Sequence, residues 1–281
     1  MSATLGPPIY IDGPIPVAPT RGLLSAATIV DPGSERFGVG AAVWPYPPDL
    51  PRSWAPCSDG TFRTKADGEG WDLPVFNAFE LYLPITCSTV TANSPGFADR
   101  ARLAFAARES YGLAHELATG HSDSLNPHLT DSGLTKLNGG AAVTADVALS
   151  YLEDAIGATG QQGLIHLTPA TAAAMNGSGG YQLDMYQGRM LTTANGTPVA
   201  IDGGYIGVSP EPMAPPASGT AWAFATGPVQ IRRSPNIEIL ADDIGESMDR
   251  QINEVTFRAE RAYLMDWDTQ LQVAVLVDWT P

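Results

Sequence analysis

The chain has 281 residues, enough to bury a substantial core, of which only 16% are charged, and its formal net charge is −15. A chain so acidic does not wrap nucleic acid on a cationic surface of its own, since such binding needs many Lys and Arg against phosphate; a container that leaves nucleic acid mobile stays open. Cys57 and Cys87 are the only cysteines, too few for a disulfide framework, and they are expected as free thiols in a reducing compartment.

The opening stretch MSATLGPPIYIDGPIPVAPTRG lacks the charged start and apolar core of a signal peptide. No run nears the roughly 18–20 apolar residues of a membrane span, so a cytosolic site of synthesis is expected. Prolines such as Pro7, Pro8, Pro14, Pro16, Pro19, Pro45, Pro47 and Pro48 crowd residues 1–60. Each fixes φ and removes a donor, which disfavours long helices and central strands. An extended arm is expected, with one short helix near RGLLSAAT. Leu23, Leu24, Ile29, Val39 and Val43 make it too apolar for a disordered tail, so it needs a surface to lie on.

Residues 57–74, CSDGTFRTKADGEGWDLP, read as a long exposed loop, and PVFNAFELYLPITCSTVTA as a strand rich in β-branched and aromatic residues. SPGFADRARLAFAARESYGLAHELATGH carries the strongest helix signal, with Ser94 as cap, Pro95 in the first turn and Gly120 as stop. Its expected apolar stripe is Leu103, Ala106, Ala107, Leu113 and Leu117, over about 25 residues or on the order of 35 Å. Residues 122–142 read as a polar loop. TADVALSYLEDAIGATG is a second amphipathic helix, capped by Thr144, with Val147, Leu149, Leu152 and Ile156 apolar. GLIHLT is a short buried strand, and TPATAAAMNG a short helix capped by Thr168 with Pro169 at its first turn. Asn195-Gly196 signals a hairpin, and the last two strands are divided by DWDT. The expected class is α+β, with no internal repeat and no parallel βαβ series.

Catalytic patterns fail on spacing. In HELATGH the histidines His115 and His121 stand at i and i+6, whereas two zinc ligands sharing one helix face need i and i+4. His128 would join only through the loop. GVGAAV has no third glycine and no following helix, so it is not a dinucleotide fingerprint. GHSDS lacks the strand–turn–helix setting of a nucleophile elbow. The carboxylate pairs Glu153–Asp154, Asp242–Asp243 and Asp266–Asp268 are expected in solvated turns and helix ends. No enzyme, cofactor or metal is implied.

The order of the elements resembles the Hong Kong 97-type major capsid proteins of tailed bacteriophages and the related encapsulin shells. LSYLEDAIGATGQQGLIHLTPATAAAMN is similar to the family's helix, central strand and short helix beginning Thr-Pro. GTPVAIDGGYIG resembles its hairpin, and AWAFATGPVQIRRSPNIEI with NEVTFRAERAYLMDWDTQLQVAVLVDW resembles its terminal strands. The resemblance implies an α+β HK-97-like fold with an amino-terminal arm (1–45), an extended loop (46–80) and a peripheral domain (81–139) with spine helix 95–120. An axial domain (140–225), peripheral return strands (226–263) and a final axial strand (264–281) complete it.

The implied function is a shell protein that self-assembles into an icosahedral phage head around double-stranded DNA, in the virion. Its partners would be other copies of itself, in hexamers and pentamers, and a separate scaffolding, decoration or portal protein. Contact with the DNA would be weak and without sequence specificity, and none with membrane. Some family members begin with a scaffolding segment that is cleaved off; none is expected here, so a separate scaffold or none is implied. Alternation along VQIRRS puts Val229 and Ile231 on one face and Arg232 near the edge; in TFRAER, Arg258 and Glu260 share a face. Arg232, Arg233, Arg258, Glu260 and Arg261 are the candidate inter-subunit contacts, the plainer alternative being surface ion pairs within one chain, worth about 0–1 kcal/mol each. Lys65 lies in the loop from which some family members cross-link to a neighbour's Asn; no Asn here matches, and an exposed lysine is the simpler assignment. An encapsulin shell, a tail or head–tail connector protein, and a metal hydrolase around His115, His121 and His128 remain as alternatives.

Overall fold

The computed structural model describes residues 14, 16–17, 19–30, 40–42, 57–58, 61–62, 74–88, 96–120, 122, 126–177, 184–186, 190–241, 248–249 and 254–279. Helix α1 (Leu23–Ala26), as the apolar LLSA predicts, and strand β1 (Thr28–Val30) lie within the arm. The short strands β2 (Ala41–Ala42), β3 (Cys57–Ser58), β4 (Thr61–Phe62) and β5 (Val75–Phe76) precede the long β6 (Phe79–Ser88) and helix α2 (Phe97–Thr119). Then come β7 (Thr135–Lys136), β8 (Val143–Thr144), α3 (Ala145–Thr159), β9 (Leu164–Leu167) and α4 (Pro169–Gly177). Strands β10 (Asp184–Tyr186), β11 (Met190–Thr192), β12 (Pro198–Ile201), β13 (Thr220–Thr226), β14 (Val229–Arg233), β15 (Glu238–Ala241), β16 (Met248–Asp249), β17 (Glu254–Trp267) and β18 (Gln272–Asp278) complete the chain.

Two large sheets organise most of these strands, while β2 pairs with β5 and β3 with β4 in two small ones. In the first, β1-β14-β17-β15 are neighbours, and β6 and β16 also pair with the long β17. The second has the order β10-β11-β12-β9-β13-β18-β7, with β8 also on β18. Strand β13 is central in it, and its near-continuous apolar run AWAFA is what burial on both faces demands. Trp222 and Phe224 point into one core, shared with α2, the arm and the first sheet. Ala223 and Ala225 point into another, under α3 and α4, with Leu149, Leu152 and Val275. Leu264–Trp267 stay in the first sheet, paired with β14, and β18 begins the second after a short turn.

Helix α2 ends as expected at Gly120, whose left-handed backbone (φ 57°) lets its N–H reach the Glu116 carbonyl at 2.8 Å. It begins at Phe97 behind Gly96; Ser94 and Pro95 lie outside the described residues. The buried stripe is shifted from the expected one. Leu113 and Leu117 are buried, but Leu103 is 43% exposed, and the row Ala101, Phe105, Glu109 and Ser110 faces inward instead. A stripe drawn through leucines fails because here a carboxylate occupies an inner position with cations to meet it.

Other local signals fare unevenly. Thr168 caps α4, its Oγ1 accepting from the Thr171 N–H at 3.1 Å. Thr144 stands at the N-cap of α3, yet its hydroxyl donates to Asp146 at 2.5 Å and caps no backbone N–H. Val147 is exposed, while Ala145 and Ala148 join Leu149, Leu152 and Ile156 in the core. The hairpin signalled by Asn195-Gly196 forms between the antiparallel β11 and β12. The Gly196 N–H donates to the Thr193 carbonyl at 2.9 Å and Gly196 has φ 86°, so Gly196 closes the turn and does not sit at its centre. Glu153, expected in solvent, accepts from the hydroxyls of Thr193 and Thr197, tying α3 to that hairpin.

The arm packs where the two sheets and α2 meet. Leu23 is fully buried, worth about 2 kcal/mol of transfer free energy. Gly22 has no room for a side chain, since a Cβ there would stand 2.1 Å from Ser110 Oγ and 2.6 Å from Asp202 Oδ2. The Ile201 N–H donates to the Arg21 carbonyl at 2.8 Å, and β1 adds in parallel to the edge of β14.

Candidate functional site

The paired arginines lie on β14, antiparallel to β17, with Arg233 opposite Tyr263 and Arg232 opposite Leu264. Opposite residues share a face and the face alternates along each strand. Val229, Ile231 and Arg233 therefore lie on the α2 side with Arg261 and Tyr263; Gln230, Arg232, Arg258, Glu260 and Asp266 lie on the other.

On the helix side a single atom organises the site. Oε1 of the buried Glu109 accepts from Arg233 Nη1 at 2.9 Å, from Arg261 Nη1 at 2.9 Å and from the Tyr263 hydroxyl at 2.7 Å. Arg261 is only 10% exposed and Arg233 33%. The second Arg261 nitrogen, Nη2, donates to the Pro235 carbonyl at 2.9 Å, which fixes the segment leading into β15. Burial, and then the Glu109 charge, push the Tyr263 hydroxyl well above the ordinary phenol range, so it stays a donor. The cluster pins the middle of the long helix to the sheet by charge-assisted bonds.

On the opposite face Arg232 pairs with Asp266. Asp266, expected in a solvated turn, is buried; burial raises its pKa, and Arg232 opposes that rise. Arg258 stands between Pro84 and Leu240 and Glu260 between Tyr82 and Glu238 in the strand register. Tyr82 is 63% exposed and Leu240 is exposed beside them, so this end of the face is open. Of the candidate contact residues, the fold thus joins Arg233 and Arg261 to Glu109, joins Arg232 to Asp266, and places Arg258 and Glu260 on the open face. Glu109 and Tyr263 escaped sequence reasoning; the i, i+4 row Ala101–Phe105–Glu109–Leu113 carries the only available signal for the first. Lys65 lies outside the described residues.

The histidine candidates do not converge. His115 stacks on Tyr111 with ring centroids 6.3 Å apart, and His128 Nε2 lies 3.0 Å from Asp131. Glu116 turns back to accept from the Ser122 N–H at 3.0 Å and from its hydroxyl at 2.9 Å. His121 lies outside the described residues, and among the described ones no three His, Cys, Asp or Glu side chains group as metal ligands. Among the described residues, no helix is long and apolar enough to cross a membrane.

No protein-family model matches this chain, and no curated protein does. Solved structures do. The chain is similar to the capsid of an empty GTA particle, at 18% identity and a TM-score of 0.58, covering 99% of this chain and 96% of that one. It is also similar to a chain of Gordonia phage Cozz, at 15% identity and a TM-score of 0.56, covering 99% and 92%. A third likeness is to the holo-SrpI encapsulin complex of Synechococcus elongatus PCC 7942, at 12% identity and a TM-score of 0.52, covering 97% and 94%. These similarities establish the fold: it is the Hong Kong 97-like capsid fold.

Proposed function

We propose that this chain is the major capsid protein of a tailed bacteriophage, assembling with copies of itself into an icosahedral head shell around double-stranded DNA. The observation that carries this reading is the extent of the likeness: 99% of the chain aligns with 96% of the GTA capsid chain. The acidic balance agrees with a container that holds DNA without gripping it. The role is structural and non-catalytic. The arm is 1–45, the extended loop 46–80 and the peripheral domain 81–139 with return strands from 226 to Trp267, where β17 ends in the first sheet; 140–225 and the last strand from 268 form the axial domain. Function arises by repetition, since a heterologous contact repeated about five- and sixfold axes closes a shell. All five candidate residues have interactions within the chain; Arg258 and Glu260 are those that lie in register with the exposed Tyr82 and Leu240, on the side of the first sheet that a neighbour could reach. Separate scaffolding, decoration or portal proteins are the further partners, and the virion is the location.

The likeness to an encapsulin chain supports a second reading, a nanocompartment shell around protein cargo. Expression of the full chain followed by sedimentation and negative-stain microscopy tests both. Closed icosahedral particles, or rings of five and six, are expected, with nuclease-protected DNA in particles recovered from infected cells. Particles carrying a protein cargo and no DNA would favour the second reading. A stable monomer under all conditions, alone and with co-expressed neighbouring phage proteins, would overturn both.

A further inference from the structure

His166 sits in β9 with no exposure to solvent. Its Nδ1 lies 2.9 Å from the Tyr205 hydroxyl and its Nε2 lies 2.9 Å from the Thr226 hydroxyl. Thr226 gives its own proton to the Gly227 carbonyl at 2.8 Å. Its oxygen must therefore accept, which puts the ring proton on Nε2 and leaves Nδ1 to accept from Tyr205. The bonds run one way, from Tyr205 through His166 and Thr226 to Gly227, and leave no site for a second ring proton.

Both ends of this chain of bonds are fastened to the seam between the sheets. Tyr205 closes the tight turn Gly203–Tyr205, which lies directly on α2: a Cβ on Gly204 would stand 2.5 Å from the His115 nitrogen and 2.7 Å from the Tyr111 oxygen. Gly227 is in the short link by which β13 of the second sheet leads into β14 of the first. A cavity of about 140 Å³ opens beside that link, lined by Pro228, Val229, Ala26 and Leu164 among others, so the seam has room to move. Strands β12 and β13 and helix α4 pack directly on β9 and contain no charged residue. Helix α2, in the core of Leu164, brings the buried Glu109 and Glu116, and α3, in the core of Ile165 and Leu167, brings Glu153; each is bonded elsewhere, to Arg233 and Arg261, to Ser122, and to Thr193 and Thr197. Tyr205 is the one titratable group bonded to the imidazole, and behind it stands Asp202, held by Ser110 Oγ at 2.7 Å and the Gly204 N–H at 3.2 Å.

We propose that His166 is an acid-sensitive lock on the seam: a proton taken from solvent at Nδ1 displaces the Tyr205 bond and frees the 203–205 turn and the β13–β14 link before the rest of the second sheet. Tyr205 keeps its own proton and loses its acceptor. Burial, which holds His166 at about 3 in the closed state, agrees with a site that takes the proton only on opening. The inference does not rest on the shell reading, since it is read on the full chain in whatever assembly state it adopts.

Hydrogen exchange followed by mass spectrometry, corrected for the intrinsic rate at each pH, tests it. Between pH 7.5 and 5.0, peptides covering 203–208 and 224–230 are expected to lose about thirtyfold in protection, while those of α3 hold theirs. In His166→Gln, whose amide both donates and accepts but does not titrate, the loss should vanish. The same loss in that variant, or loss in step with α3, would overturn the proposal. If the variant does not fold, Tyr205→Phe serves: it should lower protection of 203–208 at pH 7.5, and unchanged protection there would equally sink the idea.

Discussion

Glu109 is a carboxylate on the inner face of a helix, and taking it out of water costs several kcal/mol unless its bonds are good. Two guanidinium groups and a phenol converging on one oxygen meet that condition. Removing the carboxylate leaves Arg261 and the Tyr263 hydroxyl buried with no counter-charge. Glu109→Ala is therefore expected to lower stability by about 3–5 kcal/mol in urea denaturation. Tyr263→Phe, which removes one of three donors, should cost about 1–3 kcal/mol. If Tyr263→Phe costs nothing measurable, the arginines hold the helix without the phenol. His166 sets an acid limit by a different route. Its folded pKa, about 3, lies below the unfolded value near 6.5. Below pH 6.5 the unfolded chain binds a proton that the native one refuses, so stability falls by about 1.4 kcal/mol per pH unit until the folded value is reached. Denaturation midpoints of wild type and His166→Gln at pH 7 and pH 5 should diverge, and parallel midpoints would assign the acid loss to other groups.

At the scale of elements, the long helix is positioned by close approach as much as by apolar area. Gly204 meets the backbone of α2, and Gly120 combines a left-handed φ with a His128 ring 2.5 Å from where a Cβ would lie. Gly204→Ala must push turn and helix apart, for an expected loss of about 1–3 kcal/mol or more. Gly120→Ala meets a side-chain ring and not backbone, together with a strained φ, and should cost nearer 1 kcal/mol. Thermal melting that ranked Gly120→Ala as the more harmful would show that the turn yields more easily than its contacts imply. Terminators and caps were legible beforehand: Gly120 and Thr168 act locally and need no tertiary knowledge. The phase of the buried stripe was not, because Glu109 and Ser110 take inner positions only once Arg233, Arg261 and Asp202 have been brought to them from far along the chain.

The whole molecule is held at one seam where the arm, α2 and both sheets share a core. Leu23, although on a peripheral arm, is expected to behave as a core residue: Leu23→Ala should cost about 2–5 kcal/mol. A loss below about 1 kcal/mol would mean that the arm lies on the seam without stabilising it. Assembly is argued at this scale too. If the open face meets a neighbour, Arg258→Glu should sharply reduce particle yield under conditions where the denaturation midpoint shows the unassembled variant still folded. Undiminished particles would remove Arg258 from the interface.

Composition, element order and local punctuation were determined by the sequence alone: an acidic α+β chain with a proline-rich arm, one long helix ended by glycine, and an Arg-bearing pair of terminal strands. These are properties of neighbouring residues, set by dihedral preference, periodicity and capping. Which charges meet was decided only by the tertiary structure. Arg233 and Glu109 lie 124 positions apart, and Arg261 and Glu109 lie 152 apart. The same holds for the buried His166, whose GLIHLT reads as a plain apolar strand until Tyr205 and Thr226 are folded against it. Long-range pairing depends on the register of β17 against β14 and β6, and on the seat of α2 upon them. A polar residue's burial follows from the partner that the fold delivers, which no local pattern encodes.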